Sequence, residues 1–567
     1  MIASLHPALI FVAGAVLVAL SPGRLRAALF VLTPVASFAN LVLGDHAALT
    51  TVEIFDYELA VFRADRLSLL FGYLFHLAAF IGAIFALHLR ERMQHVVALL
   101  YVGSGLGIVF AGDLVTLFIF WELAAVTSVF LIWARRTQRA TAAGFRYLMV
   151  QMVSGLLLLA GVLIHVHQTG STAFGYIGLG GTASWLIFLA FGIKCAFPLL
   201  HNWLTDAYPE STPTGTVFLG AFTTKAAIYA LARAYPGTEL LVYVGATMAV
   251  FPIFYAVIEN DLRRVLCYSM INQLGFMVAG IGIGTALAIN GAVSHAFNDV
   301  IFKALLFMSM GAVLHMTGKI NGSDLGGLYK TMPVTTTLCI VGAASISAFP
   351  LFSGFVSKSM VMAAALEEGY DWVWLLLLLA SAGAFHYVGI KIPFFAFFAH
   401  DSGIRVKEPP LNMLVAMFIA AALCIGIGAY PWPLYALLPF PMAYVPFDTT
   451  HVVAQLQLLF FSALAFAWLK ITGLYPPALR SVNIDAEWTY RWFAPRVIRG
   501  VWSFGASIDR ALRVHALRGV DAVVAVAWHY CGPQAASART LPTSAAAIWV
   551  AVLLGVTLVI YYLHGGG

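Results

Sequence analysis

Long apolar segments constrain this sequence more than any other feature. Apolar runs of about 17–25 residues recur along the chain, and each can cross the hydrocarbon core of a bilayer as an α-helix. Only 10% of the residues are charged, against about 25% in soluble domains. The sequence therefore predicts an all-α polytopic membrane protein with about 14–16 transmembrane helices and excludes a water-soluble globule. The predicted spans are 4–20, 25–43, 67–87, 96–111, 113–133, 145–167, 181–200, 216–234, 238–258, 265–288, 291–316, 333–364, 372–399, 411–430, 452–473 and 545–563.

The basic residues indicate membrane orientation rather than a nucleic-acid partner, although the net charge is +6. Up to residue 469, 14 of the 17 loop bases lie in loops that follow odd-numbered spans, which the positive-inside rule places in the cytoplasm. We therefore expect a multi-pass protein of the inner (cytoplasmic) membrane with its N-terminus outside. One odd-side loop, 201–215, opposes the rule because it is acidic and proline-rich.

Sequence motifs for bound cofactors are missing. The five cysteines are widely scattered and form no C-x-x-C pair, and the chain has neither a phosphate-binding loop nor a dinucleotide fingerprint. We therefore expect no metal and no cofactor. An ion gradient or partner subunits must supply the energy.

Five lysines lie well inside the apolar segments, more than three residues from either end, where an unpaired charge costs about 2.5–3.5 kcal/mol even on the mildest insertion scale. No arginine lies that far inside a segment. A desolvated lysine can release its proton, whereas a guanidinium stays charged. This pattern predicts a polar interior that carries protons. Its candidate residues are Lys194, Lys225, Lys303, Lys358 and Lys391, with the acids Glu122 and Asp299.

The spacing of these groups suggests how they are arranged. Glu122 lies about nine residues from either end of its span, roughly 14 Å from water, so it must face a partner or a wet cavity. His295, Asp299 and Lys303 recur every fourth residue and share one helical face, as expected for a titratable ladder. The alternative interpretation of this face is a polar seam between helices, with Ser294 and Asn298 as further members.

Two proline-containing segments predict broken helices beside buried lysines. Ala196-Phe197-Pro198-Leu199 follows Lys194, and the same four residue types occur at 348–351, ahead of Lys358. We expect 333–364 to form two half-helices. Broken helices at corresponding places indicate an internal repeat.

The C-terminal part differs from the rest. Residues 485–530 interleave arginines with large apolar side chains, which predicts an interfacial amphipathic helix or a pair of helices. It would serve as a surface linker to the last span or as a strut that docks a partner. We expect five regions: N-terminal helices (1–95), a first repeat (96–234), a second repeat (238–400), C-terminal core helices (401–473), and the amphipathic helix with the last span (474–567).

Several ordered motifs resemble one known family. They are Phe120-Trp121-Glu122-Leu123, Phe302-Lys303-Ala304-Leu305, and the segments 194–204, 224–231, 261–269 and 351–358. The chain is similar to the antiporter-like, proton-conducting subunits shared by Mrp-type cation/proton antiporters, respiratory complex I and membrane-bound hydrogenases. Segments 323–330 and 485–491 look closest to the D-type subunits of Mrp antiporters.

The resemblance implies two inverted five-helix repeats with a charged axis at mid-membrane. Glu122 and Lys194 would form a switching ion pair, Lys225 would relay the proton, and Lys303 and Lys358 would carry it through the second half. Asp299 stands where family members often carry a histidine, and we expect it to form an i,i+4 ion pair with Lys303.

Lys391 is either a further member of this pathway or a lysine that extends toward the cytoplasmic surface. It lies eight residues before His400, at the end of its span.

Three functions remain open from the sequence. The first is the proton-translocating subunit of a multisubunit Na⁺/H⁺ antiporter. The second is a proton-pumping subunit of a redox-driven complex or of an inorganic-carbon uptake complex. The third is an integral-membrane enzyme that uses His295 and Asp299 as acid and base. For the first two, the expected partners are other membrane subunits, protons, Na⁺ and the lipid bilayer.

Overall fold

A computed structural model describes residues 5–44, 50–54, 57–476, 479, 483–540 and 542–565. Residue 4, where the first predicted span begins, lies outside these residues. The chain divides into two compact units, Met1–Asp485 and Ala486–Gly567.

The first unit is a bundle of helices. Among the described residues of the whole chain, 13 helices are long and apolar enough to cross a membrane, and three shorter helices are also apolar. They confirm the predicted all-α, multi-span fold. The helices of the first unit are α1 Pro7–Leu20, α2 Gly23–Leu43, α3 Arg66–Phe85, α4 Arg92–Phe110, α5 Leu114–Trp133, α6 Gln138–Thr169, α7 Gly181–Lys194, α8 Asn202–Ala207, α9 Pro213–Ala221, α10 Thr223–Ala234, α11 Glu239–Ile258, α12 Leu262–Ile283, α13 Ala286–Thr317, α14 Pro333–Ile346, α15 Ser353–Glu367, α16 Asp371–Ala384, α17 Lys391–Pro393, α18 Leu411–Ala429, α19 Trp432–Ala436 and α20 Thr449–Ile471.

A β-hairpin between α2 and α3 is an addition that the sequence analysis did not predict. Strands β1 (Thr50–Ile54) and β2 (Tyr57–Phe62) pair antiparallel, with Val52 opposite Leu59. Each strand has only five or six residues, which is too short to stand out between long apolar runs.

Two helix pairs have matching ends. An aspartate accepts the first amides of α5 and of α12, and a threonine does the same for α6 and α13. Both α6 and α13 have 32 residues and end at a glycine with positive φ. The pairs are separated by the same interval along the chain and are Asp113 and Asp261, Thr137 and Thr285, and Gly170 and Gly318.

The two proline motifs break their helices in the same way. Helix α7 ends at Lys194 rather than at the predicted residue 200, and α14 ends at Ile346 before α15 begins at Ser353. In both motifs the alanine and the leucine have positive φ, although neither is glycine. The angles are 62° and 68° at Ala196 and Leu199, and 56° and 71° at Ala348 and Leu351. The two half-helices predicted in 333–364 are confirmed.

Helix α13 lies at the centre of the bundle, where it contacts α3, α9, α12, α14, α15 and α18. Its side chains are buried from Ala288 to Val313. A second special element follows α16, where two π-helical stretches, Phe385–Ile390 and Phe394–Phe398, flank α17. Such π-bulges are frequent at functional sites.

The second unit consists of a π-helical turn and two long helices. The turn is Thr489–Phe493, followed by α21 (Ala494–Cys531) and α22 (Thr543–Gly565). The basic stretch predicted as one or two helices thus forms one continuous helix of 38 residues. None of its side chains is buried.

Candidate functional site

All five intramembrane lysines point into the protein. Each side chain is no more than 3% exposed, although lysine is among the residue types least often buried. They lie on five different helices. Lys194 ends α7, Lys225 lies on α10, Lys303 on α13, Lys358 on α15 and Lys391 at the start of α17.

Lys194 binds to the neighbour of Glu122 rather than to Glu122 itself. Its Nζ donates to the Trp121 carbonyl oxygen at 2.5 Å and lies 4.3 Å from the centre of the Trp121 ring. Glu122 is half-buried, and its Oε1 has no hydrogen-bond partner among the described residues. The expected Glu122–Lys194 ion pair is therefore not formed in this conformation.

A glycine makes room for the Glu122 carboxylate. A Cβ atom on Gly155 of α6 would lie 1.5 Å from Oε1 of Glu122. The carboxylate thus occupies the volume that any other residue at position 155 would need.

Asp299 pairs with a lysine of another helix. Its Oδ2 lies 2.6 Å from Nζ of Lys225, and both side chains are fully buried. The expected i,i+4 pair with Lys303 is wrong, because Lys303 instead donates to the hydroxyl of Ser269 on α12. Tertiary packing of α10 against α13 thus overrides the spacing within α13. The Lys225–Asp299 pair connects the two predicted repeats.

Lys358 and Lys391 also bind neutral oxygens. Lys358 Nζ donates to the Ile346 carbonyl at 2.8 Å, at the end of α14. Lys391 Nζ donates to the carbonyls of Ala256, Val257 and Glu259 at 2.6–2.9 Å. It thus supplies hydrogen bonds to carbonyl groups that have no partner within the last turn of α11. Lys391 therefore does not extend to the surface.

His295 bridges two helices. Its Nδ1 lies 2.9 Å from the Ser357 hydroxyl on α15, and its Nε2 lies 3.1 Å from Oε1 of Gln273 on α12. The members of the predicted ladder on α13 thus contact three different elements. Asn298 also reaches α15, where it donates to the Ser353 carbonyl, whereas Ser294 bonds only to its own helix.

Several buried polar atoms of the bundle, among them one of Asp299 beside Lys225, have no hydrogen-bond partner among the described residues. They are both amide atoms of Gln151, both amide atoms of Asn202, Oδ1 of Asn298 and Oδ1 of Asp299. In native proteins such atoms are almost always completed by protein groups or by water. The surroundings of the lysines therefore suit a hydrated route.

Arg263 is a functional candidate that the sequence analysis missed, since its position at the start of a span is typical of a loop base. It is 1% exposed and donates to the carbonyl oxygens of Pro209, Ser211 and Thr212 at 3.1–3.2 Å. It also donates to the hydroxyl of Thr216. Arg263 thus fixes the segment that connects α8 to α9. The motif Asp261-Leu262-Arg263-Arg264 carried a signal, because two consecutive arginines cannot both face the same surface.

Arginines also explain the acidic loop 201–215. Arg146 forms a two-pronged ion pair with Asp206, with Nε–Oδ2 at 2.7 Å. Arg135 donates to the Pro209 carbonyl at 2.7 Å and lies 3.6 Å from Glu210. The loop that opposes the positive-inside rule is thus neutralised by bases from its neighbours.

The charges of the site are markedly unbalanced. Among the described residues, Lys225 alone of the five lysines has a carboxylate within 4.0 Å, and the other four are held by carbonyl or hydroxyl oxygens. A buried ammonium group held by neutral oxygens loses little when it gives up its proton. The arrangement is chemically suited to groups that alternate between charged and neutral forms.

Comparisons with known proteins agree with this architecture. Residues 111–386 match the family described as NADH:quinone oxidoreductase/Mrp antiporter, TM. The chain is 29% identical over 421 residues to the A-type subunit of the Na(+)/H(+) antiporter of Alkalihalophilus pseudofirmus, covering 65% of this chain and 52% of the relative. It is 29% identical over 356 residues to the D-type subunit from the same organism, covering 58% and 72%. It is 31% identical over 363 residues to the NAD(P)H-quinone oxidoreductase chain 5 of Synechocystis, covering 58% and 52%.

Solved structures share the fold. A chain of the Mrp complex from Dietzia superimposes with a TM-score of 0.69 and 22% identity, covering 82% of this chain and 98% of that chain. A chain of the membrane-bound sulfane sulfur reductase, an archaeal respiratory complex, gives 0.71 with 21% identity, covering 98% and 99%. The chain spans about half the length of the A-type antiporter relative and of the chain 5 relative. The protein is therefore a multi-pass membrane protein with the fold of subunits of multisubunit complexes.

Proposed function

We propose that this chain translocates protons as a subunit of a multisubunit Na⁺/H⁺ antiporter, because residues 111–386 match the family described as NADH:quinone oxidoreductase/Mrp antiporter, TM. The observation that carries the proposal is the set of buried lysines bound to neutral oxygens. Five permanently charged ammonium groups would be too costly in the dry middle of a membrane. Lysines that release their protons to a hydrated route are neutral for part of the transport cycle, and a neutral lysine does not carry the cost of a buried charge.

The proton route starts in the first half with Glu122 and Lys194. When the Glu122 carboxylate swings toward Lys194, the ammonium form is favoured, and when it swings away the proton moves on. Lys194 already lies against the carbonyl of the residue next to Glu122, so the approach requires only side-chain movement. The interaction energy of such a pair changes by several kcal/mol in a low-dielectric site.

The Lys225–Asp299 pair then links the halves. Asp299 lies on α13 beside His295 and Lys303, and its charge also attracts Lys358. A proton released at Lys225 can therefore pass by way of the Asp299 carboxylate to Lys303 and Lys358. We place Lys391 at the far end of the route, since it lies between two π-helical stretches.

Matching helix ends support the proposed inverted repeats. Helices α5 and α12 share their capping pattern, α6 and α13 share their length and caps, and the proline breaks after α7 and α14 share their backbone angles. Helix α5 is the fifth predicted span and α12 the tenth, so equivalent helices would run in opposite directions. We keep the five-region division proposed from the sequence.

The test replaces Lys194 with alanine in the complete complex. Inside-out vesicles that contain equal amounts of complex receive Na⁺, K⁺ or choline salts, and proton movement is followed with a pH-sensitive dye. We expect Na⁺-driven proton movement to be abolished in Lys194→Ala and unchanged in Lys319→Ala, which removes an exposed loop lysine. Full activity of Lys194→Ala would refute the assignment.

A second candidate is a proton-pumping subunit of a redox-driven or inorganic-carbon uptake complex. It is supported by the similarity to the quinone oxidoreductase chain and to the sulfane sulfur reductase chain. Purification of the tagged chain from its native membrane distinguishes the candidates. An antiporter yields only membrane subunits, whereas a redox complex also yields subunits with flavin or iron–sulfur clusters.

The geometry disfavours the membrane-enzyme alternative. Both ring nitrogens of His295 are engaged by Ser357 and Gln273, and Asp299 is paired with Lys225. An apolar cavity of about 540 Å³ lies between α2, α3 and α13, but its lining includes Phe297 and not His295 or Asp299. Neither proposed catalytic group is presented to a substrate.

We expect the protein to work in the inner membrane with its N-terminus outside, in contact with lipid and with other membrane subunits. Helix α21 would provide one surface for such a partner, because none of its side chains is buried.

A further inference from the structure

Helix α10 presents three polar side chains along one face. Lys225, Tyr229 and Arg233 recur every fourth residue, from the buried Lys225–Asp299 pair to the C-terminal end of the helix. That end faces the side of the membrane that the positive-inside rule places outside. The proton route proposed above passes through Lys225 but makes no use of Tyr229 and Arg233.

Arg233 joins the end of α10 to the start of α3. Its Nη2 lies 2.8 Å from Oδ1 of Asp65, and its Nε donates to the Tyr229 hydroxyl at 2.8 Å. Asp65 also accepts the Ser68 amide and so caps α3. The Arg233 side chain is only 11% exposed.

Positive charge is in excess at this end. Arg63 lies 3.7 Å from Oδ2 of Asp65, so two guanidinium groups share one carboxylate. Burial and, after it, repulsion from Arg233 lower the pKa of Arg63. The cluster Arg63–Asp65–Arg233 therefore carries a net charge of about +1 above Lys225.

Aromatic rings fill the space between this charge and Lys225. The Tyr229 ring is fully buried and packs edge-to-face against Phe71 at 5.5 Å and Phe174 at 6.3 Å. The Arg233 guanidinium lies 5.0 Å from the centre of the same ring. The rings of Tyr229, Phe71 and Phe174 thus form an apolar constriction between Lys225 and the outer end of α10. The positive charge of Arg63 and Arg233 lies on the outer side of this constriction.

We propose that Arg233, together with Arg63 and Tyr229, is an electrostatic barrier that keeps protons and metal cations on the outer side from reaching Lys225. The inference rests on the proposed role of Lys225 in proton transfer. A guanidinium stays charged at every physiological pH, so it repels cations and cannot relay a proton. Without such a barrier, a gradient would dissipate through the same lysine that the transport cycle uses.

The expected size of the effect follows from the spacing. Arg233 lies eight residues beyond Lys225, which is about 12 Å along a helix. At an effective dielectric constant of about 20, a unit charge at that distance changes the local concentration of a monovalent cation by about tenfold.

The test measures passive proton leak in the complete complex. Liposomes that contain the complex and a trapped pH dye receive a K⁺ diffusion potential in the absence of Na⁺, so no driven exchange contributes. We expect about a tenfold larger leak in Arg233→Gln than in the wild type. Asp65→Asn should not leak more, because it breaks the same ion pair but leaves both arginines. Arg405→Gln, which removes an exposed arginine from an ion pair with Asp401, is the matched control.

Arg63→Gln keeps the proposal testable if Arg233→Gln fails to assemble. It lowers the net charge but leaves the Arg233–Asp65 bond in place, and we expect a several-fold larger leak. Equal leak in Arg233→Gln and Asp65→Asn would mean that the ion pair only holds the helices together, and would overturn the proposal. Wild-type leak in both glutamine variants of an intact complex would overturn it as well. Loss of driven transport in Lys194→Ala is scored separately and tests only the proposed function.

Discussion

The position of the Glu122 carboxylate is testable without touching any charge. In Gly155→Ala, the new methyl group would lie 1.5 Å from Oε1 and 2.3 Å from Cδ of Glu122. Carbon and oxygen atoms in ordinary contact are about 3.5 Å apart, so the carboxylate must shift by about 2 Å. Glu122 is only half-buried, which lets the side chain swing away while α5 and α6 stay packed.

We expect this shift to slow transport strongly while the complex still assembles. A displacement of 1 Å can cost about 100-fold where reacting groups must meet, so a loss of at least tenfold in Na⁺-driven proton movement is expected. The cost in folding free energy should stay within the range for a single overpacked methyl group, about 1–3 kcal/mol. The assay compares initial rates in inside-out vesicles at equal amounts of complex.

Two further variants sharpen the result. Gly426→Ala on α18 is the matched control, because a methyl group there meets no atom within 4 Å. Adding Glu122→Asp to Gly155→Ala shortens the acid by one methylene and should restore part of the rate. A wild-type rate in Gly155→Ala, or an equal loss in Gly426→Ala, would refute the role of the Glu122 position.

Three other predictions concern polar contacts. Asp299→Asn leaves a buried ammonium without its carboxylate, so we expect a lower melting temperature, a loss of about 3–5 kcal/mol and no driven transport, measured by thermal unfolding and by the vesicle assay. Arg263→Lys cannot bind several carbonyls at once and should lose about 2–3 kcal/mol of stability, whereas Arg264→Lys should stay close to the wild type in the same unfolding assay. Burial raises the pKa of Asp65, but the hydrogen bond and charge of Arg233 outweigh burial and hold that pKa below its usual value. The stabilisation from Asp65 is therefore present above about pH 4 and lost as the pH falls through the lower folded value, so Asp65→Asn should lower the melting temperature more at pH 7 than at pH 3.

Most of the fold was predictable because the membrane imposes length and hydropathy on every span. The proline breaks were predictable for the same kind of reason, since proline cannot continue a helix. Partners across helices were not predictable. Asp299 has Lys303 one turn away in sequence, yet Lys225 of α10 lies closer in space. Spacing within one helix says nothing about which neighbour packs against it.

Arg263 shows a second limit of sequence analysis. It stands beside Arg264 at the start of a span, where the positive-inside rule assigns both to the cytoplasmic surface. Only the packing of 208–216 against α12 shows that Arg263 is buried. By contrast, the matching caps of α6 and α13 were present in the sequence. Aligning Thr137 with Thr285 also brings Gln151 into register with Asp299, which the apolar pattern alone did not reveal.

The two proline motifs hold four non-glycine residues in the left-handed region, at Ala196, Leu199, Ala348 and Leu351. Each such residue costs roughly 1–2 kcal/mol, and a glycine would remove that cost. A glycine would also let the chain turn through many angles, whereas a side chain with a Cβ atom confines it to a few. The backbone turns at the two proline motifs are therefore stiff. In the proposed transport cycle, motion must arise from swinging side chains and sliding helices, since a rigid turn cannot serve as a hinge.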